Sequence, residues 1–446
     1  MLRRASAPIL IAVMALCGCA VGPDYQRPDA PIAQAWKTDA GWQAGQPRDA
    51  ELKGAWWEIF GDSELNRLQQ QALQNGQTMV IAQARVEQAR AQANVANSAY
   101  FPQIGAQLGA SRARSSADRP LSNPNTRNVS IIQSDFNGAF TVDYEADLFG
   151  RVRRQAESAR ASAEQAQADF ENTRLVLTAE LAADYFALRE TDAEIDLLRQ
   201  TLAAQNKALD YITARHDLGA ASGLDLNQQQ GLVAGTETQL TLLENQRAAY
   251  QNAIAALVGV PAPDFTLAFD PKMASVPAIP VTAPSTLLER RPDIAAAERA
   301  MAAANAQIGL AKSAYYPSLS LSAAYGSDAN RLANLFSAPA LLWSVGASAA
   351  QTLFDGGRIS ANVDFAKAGY QESVANYRQT VLNAFQEVQD GLNGDVALAR
   401  AGKSAGVAAT SAENSLGLSL DRYRSGVASN LEVVVAEQTF LGYRRQ

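Results

Sequence analysis

Cysteine is nearly absent from this 446-residue chain: Cys17 and Cys19 are its only two, and both lie close to the N-terminus. No thiol is left further along for a disulfide or a thiolate metal site, so packing alone must hold the fold. Histidine is rarer still, with His216 alone. Aromatics make up only 7% of the residues while apolar types reach 47%. Much of the apolar fraction is therefore Ala, the strongest helix former, which predicts long, closely packed helices. An extended run of Lys and Arg is also missing. With a formal net charge of -7 and a pI near 5.1, the chain has no phosphate-neutralising face, and nucleic acid is not expected as a partner. No Ser/His/Asp set, carboxylate pair or metal cluster has plausible spacing, which argues against an enzyme and against any metal or diffusible cofactor.

The N-terminal apolar stretch, residues 7–16, is too short for a spanning helix, which needs roughly 20 apolar residues. Preceded by Arg3 and Arg4, it fits the core of a signal peptide. It ends in Leu16-Cys17-Gly18-Cys19, which resembles a bacterial lipobox. That likeness implies cleavage after Gly18 and a covalent acyl lipid on Cys19. Acyl chains bind bilayers by about 0.8 kcal/mol per buried CH₂, so three together anchor firmly. Ala20, standing where Asp would retain the chain, resembles the sorting signal for the outer membrane. Ordinary secretion with a cysteine there by chance is the competing reading.

Beyond residue 61 the chain repeats itself. Ser98-Ala99-Tyr100-Phe101-Pro102 recurs as Ser313-Ala314-Tyr315-Tyr316-Pro317, and Leu148-Phe149-Gly150-Arg151 as Leu353-Phe354-Asp355-Gly356-Gly357-Arg358. Gly219 and Gly426, in the third repeated motif, lie 207 residues apart. The layout is a signal peptide (1–18), a lipidated extended segment (19–61), a first structural repeat (62–259), a Pro-rich linker (260–284) crossing the outside of the bundle, and a second repeat (285–446). Aligned on the first copy, Gln446 falls at Gln239, about 18 residues short of where that copy's last helix ends.

Each copy predicts helix, strand, loop, strand, very long helix, turn and helix. From 140 to 148, Phe140, Val142, Tyr144, Ala146 and Leu148 alternate with Thr141, Asp143, Glu145 and Asp147. In the second copy Trp343, Val345, Ala347 and Ala349 alternate with small or polar residues. Strands of about 9–11 residues with one apolar face suit a transmembrane barrel, and so does a half-buried soluble sheet. The lipobox and the acidic row Asp143, Glu145 and Asp147, read as a lumenal face, favour the barrel. Four strands do not close one. Two copies of the chain would supply eight strands, with a lumen filled by side chains, and three would supply twelve and leave a channel. A homotrimer is therefore expected. Residues 151–213 contain no Pro or Gly, and Leu181, Leu188, Ile195, Leu202 and Leu209 keep the sevenfold spacing of a coiled coil. The expected fold class is mixed: an all-α coiled-coil barrel, internally duplicated, continuing a trimeric 12-strand transmembrane β-barrel with four strands per protomer.

These features together resemble the TolC-like outer-membrane factor family, in the lipoprotein branch serving resistance-nodulation-division efflux systems. The resemblance is carried by residues 19–28, by Trp56-Trp57 with Phe60, Asp62 and Leu65, by Leu288-Glu289-Arg290-Arg291-Pro292-Asp293-Ile294, and by the duplicated turns. It implies a trimeric exit duct, shut at its periplasmic end and opened by a periplasmic adaptor (membrane fusion) protein that joins it to an inner-membrane pump. Residue by residue, Leu218-Gly219-Ala220 and Ser425-Gly426-Val427 match the adaptor-facing tips. Asp225 and Tyr423 match a hydrogen-bonded lock, Leu431 an apolar constriction and Glu432 an acidic ring. Val435 and Gln438 depart from the family's Asp and Arg, which puts a second layer of the lock in doubt. His216, beside the first tip, fits a solvated turn residue better than a pH sensor. Ducts for metal cations or for type I protein secretion share this fold, and a periplasmic spacer lipoprotein without a channel is the reading from another class.

Replacing Cys19 with Ser is expected to abolish acylation while leaving the barrel strands able to assemble. Intact-mass analysis of the wild-type chain checks this: absence of acyl mass on Cys19 would defeat the lipoprotein assignment.

Overall fold

The computed structural model describes residues 20–29, 54–117, 130–272, 276–277 and 291–445. The first copy forms α1 (Ser63–Asn75), α2 (Gln77–Ser98), β1 (Gln103–Arg114), β2 (Ile132–Ala146), α3 (Arg151–Asp217) and α4 (Gly223–Leu257). The second forms α5 (Pro292–Ser313), β3 (Ser318–Ala329), β4 (Leu341–Ala350), α6 (Arg358–Arg424) and α7 (Asn430–Arg444). Three of the matching pairs have equal lengths: 22 residues in α2 and α5, 12 in β1 and β3, and 67 in α3 and α6, whereas β2 and β4 have 15 and 10, and α4 and α7 have 35 and 15. A helix of 67 residues spans on the order of 100 Å. Freedom from Pro and Gly explains α3. By contrast α6 carries Gly391, Gly394, Gly402 and Gly406 in its middle, where a Cβ would meet nothing within 4 Å. Among the described residues no helix is long and apolar enough to cross a membrane.

The chain divides into two compact units, each drawing on both copies. One takes in Met1–Ala30, Arg85–Ala168 and Ile294–Gln379, and the other Pro31–Ala84, Asp169–Asp293 and Thr380–Gln446.

In the first unit the four strands form one antiparallel sheet in the order β1-β2-β3-β4. The duplication meets at its centre, where β2 of one copy pairs with β3 of the other. The register keeps the sequence alternation in phase across the sheet. Ala106, Phe140, Tyr325 and Trp343 lie in one cross-strand row, and Ile104, Val142, Ala323 and Val345 in the next. Ile104, Phe140, Tyr325, Trp343 and Val345 are all exposed, so an apolar face stands uncovered on the single chain. One expectation shifts here. β2 begins earlier than Phe140, and it ends at Ala146, so Asp147 and Leu148 lie beyond it. In the second copy β3 runs on through Ser327 to Ala329.

The core of the second unit gathers Leu65, Leu68 and Ala72 of α1, Leu181, Tyr185 and Leu188 of α3, and Ile254 and Ala255 of α4. Trp57 joins it from a 3₁₀ turn, Trp56–Phe60, within the segment expected to be extended. The heptad residues Leu181, Leu188 and Ile195 are fully buried, whereas Leu202 and Leu209, nearer the helix end, are half-buried. The Arg-Pro-Asp motif starts α5. Pro292 takes the first helical position, and Arg291 grips Asp293 bidentately at 2.7 and 3.1 Å while reaching Glu387 of α6 at 2.7 Å.

The described start of the linker is mostly exposed but turns two side chains inward. Phe265 and Leu267 are buried in the core, and a polar knot holds the chain beside them. Asp192, wholly buried, accepts from Arg189 at 2.9 Å, from Arg247 and from the Asp270 backbone N–H. The same two arginines donate to the carbonyls of Ala268 and Leu267. The rest of the linker falls largely outside the described residues.

Asp192→Ala would leave two arginines without their shared carboxylate, a loss of about 3–5 kcal/mol by analogy with broken buried pairs. Lowered thermal stability and faster proteolysis near residue 270 are the expected results, and a wild-type melting curve would contradict them.

Candidate functional site

Two regions carry the functional residues: the exposed sheet with its junctions, and the pair of helical hairpins.

The junction motifs place aromatics at one end of the sheet. Tyr100 and Phe101 precede β1, Phe149 follows β2, Tyr315 and Tyr316 precede β3, and Leu353 and Phe354 follow β4. Phe149 and Tyr316 stack with centroids 4.9 Å apart, and Phe101, Leu353 and Phe354 are exposed. Aromatic girdles mark the edges of the apolar band on membrane barrels. The repeated motifs thus mark a level as well as a duplication. Ala20, the residue after Cys19, packs at this same level: a Cβ on Gly150 would come within 2.8 Å of it. Arg154, nearly buried, donates to the carbonyls of Val21 and Gly22 and pairs with Asp24 at 2.9 Å. Gly22 is in the left-handed region at φ 113° and lies so close to Gly309 that a Cβ would be 2.5 Å from its Cα. Cys19 itself lies outside the described residues.

The acidic row separates into three roles. Asp143 sits on the polar face of β2, opposite Gln103 and Ser322. Glu145 occupies the same face near the strand's end and is paired with Arg151 of α3. Asp147 is not on the strand. It accepts from the backbone N–H groups of Val152 and Arg153, at 3.2 and 2.9 Å, and so caps α3, where the helix dipole favours a carboxylate.

In the second unit the hairpins α3–α4 and α6–α7 end in matching turns. Gly219 and Gly426 take φ values of 72° and 78°, which only glycine adopts without strain. In the first turn the Ala220 N–H donates to the Arg215 carbonyl and Gly219 to His216; in the second, Val427 donates to Arg422 and Gly426 to Tyr423. Both close the helix as Schellman motifs. The tips are apolar and open to solvent: Leu218 is 84% exposed, Val427 72% and Leu431 51%. Ser425 bonds the carbonyls of Asp421 and Arg422, and His216 lies 3.5 Å from Asp217.

The lock expected between Asp225 and Tyr423 is not formed within the chain. Ser222 and Asp225 make a capping box at the start of α4: the Ser222 hydroxyl donates to the carboxylate at 2.7 Å and accepts from the Asp225 N–H at 3.1 Å. Tyr423 instead faces Arg215, whose guanidinium lies 5.9 Å from its ring centre. Burial, with the Asp225 charge adding to it, pushes the Tyr423 hydroxyl above its usual pKa, against the pull of Arg215. Glu432 pairs with Arg422 at 3.3 Å. Arg215 and Arg154 had no motif to flag them. Arg215 sits in a repeated stretch, yet its role depends on a residue 208 positions away.

The family model described as outer membrane efflux protein matches residues 68–260 and 283–446, the two copies with the linker between them. The chain belongs to the outer membrane efflux protein family. Among its relatives is the probable efflux pump outer membrane protein SepC of Pseudomonas putida, 33% identical over 97% of this chain and 90% of that one. The solved outer-membrane channel OprN is 30% identical, covering 96% of this chain and 94% of its own, with a TM-score of 0.85. The outer membrane channel MtrE of Neisseria gonorrhoeae, solved in its open state, is 26% identical over 96% of this chain and 93% of its own, with a TM-score of 0.79. This family member is an outer-membrane channel of an efflux system.

Ser222→Ala is expected to remove the capping box and cost about 1 kcal/mol at the head of α4. Hydrogen exchange over residues 222–228 should accelerate, with the rest of α4 unchanged.

Proposed function

We propose that three copies of this chain close a twelve-strand barrel in the outer membrane of a Gram-negative bacterium and pass small compounds out of the periplasm. The observation that carries this is the sheet: four strands, an exposed apolar face, and unpaired outer edges on β1 and β4 among the described residues. Each unsatisfied backbone group in hydrocarbon costs several kcal/mol, so these edges must find partners. Pairing β4 of one protomer with β1 of the next satisfies both at once, and twelve strands leave an open lumen. The long helices extend the duct into the periplasm. It conducts passively and catalyses no reaction.

An acyl lipid on Cys19 anchors each protomer, supported by the docking of Ala20 at the level of the junction aromatics. The exposed tips at Leu218-Gly219-Ala220 and Ser425-Gly426-Val427 receive a periplasmic adaptor, which couples the duct to an inner-membrane pump of the resistance-nodulation-division type. Leu431 and the three hairpin pairs narrow the periplasmic end. The Asp143 positions, repeated threefold, give the lumen a field that favours cations. Ducts for metal cations or secreted proteins share this plan, but the efflux names of the relatives favour small compounds. A spacer without a channel leaves the apolar face of the sheet without purpose.

Mass photometry of the detergent-solubilised protein is expected to report three protomers, and planar bilayers should show discrete conductance steps. Stable monomers without conductance would return the spacer reading.

A further inference from the structure

The apolar face of β1 changes character along its length. Ile104, Ala106, Leu108 and Ala110 share that face with Val142, Phe140, Gly138 and Phe136 of β2, and the next two positions on it are Arg112 and Arg114. Both arginines are exposed. Their cross-strand partners are Ser134 and Ile132, so β2 sets no carboxylate opposite them. β4, the strand that closes against β1 in the trimer, contains no acidic residue from Leu341 to Ala350. Among the described residues neither arginine forms an ion pair, and Arg114 donates from Nε to the Ser130 hydroxyl at 2.8 Å. The aspartates at this level, Asp135 and Asp328, alternate onto the opposite face of the sheet. The duplication also breaks here. Counted from Pro102 and Pro317, Arg112 and Arg114 correspond to Ser327 and Ala329 of β3, so the basic pair belongs to β1 and not to its copy.

Height places these residues. With a rise of about 3.4 Å per residue and a tilt of about 40°, a barrel strand gains roughly 2.6 Å per residue along the membrane normal. Arg112 and Arg114 therefore stand about 21 and 26 Å above Ile104, at the upper boundary of an apolar band about 25 Å tall. The junction aromatics and the long helices lie at the other end of the sheet, so this boundary faces the cell exterior. We propose that Arg112 and Arg114 dock the phosphorylated headgroup of the outer-leaflet lipid, lipid A, at one site beside each seam between protomers. The proposal rests on the reading of the sheet as one third of a membrane barrel. A guanidinium left at the edge of hydrocarbon without a counter-ion is costly, and an anionic headgroup supplies that counter-ion. Arginine grips phosphate through two parallel N–H donors and keeps its charge at every accessible pH. Two arginines at alternate strand positions lie about 7 Å apart on one face, close enough to converge on a single phosphate. Below them Leu108 and Ile104, both exposed, offer an apolar track for the acyl chains of the same lipid. The sorting of charge by face, arginine outward and aspartate inward, separates this site from a rim that is simply solvated.

Native mass spectrometry of the full-length trimer in detergent tests this, with titration by bisphosphorylated lipid A and by the same lipid with its phosphates removed. The wild-type trimer should bind the bisphosphorylated form about tenfold more tightly or better. Arg112→Gln combined with Arg114→Gln should lose that preference while still forming trimers that conduct in planar bilayers. Arg67→Gln, the same change of charge on α1, should keep it. Equal affinity of the wild-type trimer for the two lipids overturns the site, and so does an undiminished preference in the double variant. Displacement of the lipid by millimolar inorganic phosphate would make this a free-phosphate site and overturn the lipid assignment. Should the double variant fail to assemble, the single variants Arg112→Gln and Arg114→Gln decide, each expected to lower the preference by about threefold; two singles that match wild type overturn the site. A conducting trimer without the preference sinks the lipid site alone, whereas a wild-type chain that is monomeric and does not conduct sinks the barrel reading and the site with it.

Discussion

The hydrogen-bonding capacity of two strand edges constrains everything else in this protein. β1 and β4 each present a row of backbone donors and acceptors that no other described strand of the chain pairs with. They belong to different copies of the repeat, so they are different surfaces, and joining them is a head-to-tail contact. Head-to-tail contacts close into rings when the rotation per step divides the circle. The edge lengths make this workable: β4 has 10 residues and β1 has 12, so strands of similar reach face each other around the ring. The apolar face has the same logic, since alternation kept in phase over four strands would be wasted on a sheet with water on both sides.

Most of this architecture was legible in the sequence because periodicity and duplication are local signals that add up. The alternation around Phe140 and Trp343, the heptads from Leu181 to Leu209, and the missing Pro and Gly after Arg151 each reported one element, and the repeat confirmed every element twice. What escaped notice depended on distant partners. Asp147 continues the alternation of β2 perfectly well on paper. Only the start of α3, four residues later, shows that its carboxylate caps a helix. The Pro-rich linker reads as a surface crossing by composition, yet Phe265 and Leu267 go inward because Asp192 and Arg247, far away in sequence, satisfy the backbone polar groups beside them. Proline content reports what a segment does not form; it is silent on what covers it.

At the hairpins the resemblance and the residues point to the same place and differ over the bonds. Leu218-Gly219-Ala220 and Ser425-Gly426-Val427 are turns, as the glycines required. Asp225 stands where a lock is expected, but a serine three residues before it is a stronger local claimant on its carboxylate. A capping box is recognisable from spacing alone, and Ser222-x-x-Asp225 shows it with Asp in the place of the usual Glu. The contact between Arg215 and Tyr423 is not recognisable that way, since it joins two copies of the repeat that differ in one aromatic for one histidine.

The grading of burial along α3 makes the hairpin end the more easily disturbed one. Leu181, Leu188 and Ile195 are sealed and sit near the Asp192 knot, where breaking one pair leaves buried charge behind. Leu202 and Leu209 are half-covered, and beyond them the tips depend on a cap, a solvent-exposed ion pair and stacking on a half-buried tyrosine. Such contacts contribute roughly 0.5–1 kcal/mol each at exposed sites. Summed over three protomers, one such contact per chain amounts to about 1.5–3 kcal/mol, whereas swinging a two-state equilibrium from 1:99 to 99:1 takes about 5.5 kcal/mol. Contacts of this size at the tips are weak enough for a partner's differential affinity to reverse. A knot like that at Asp192, placed at the tips, would make the duct permanent in whichever state it folded.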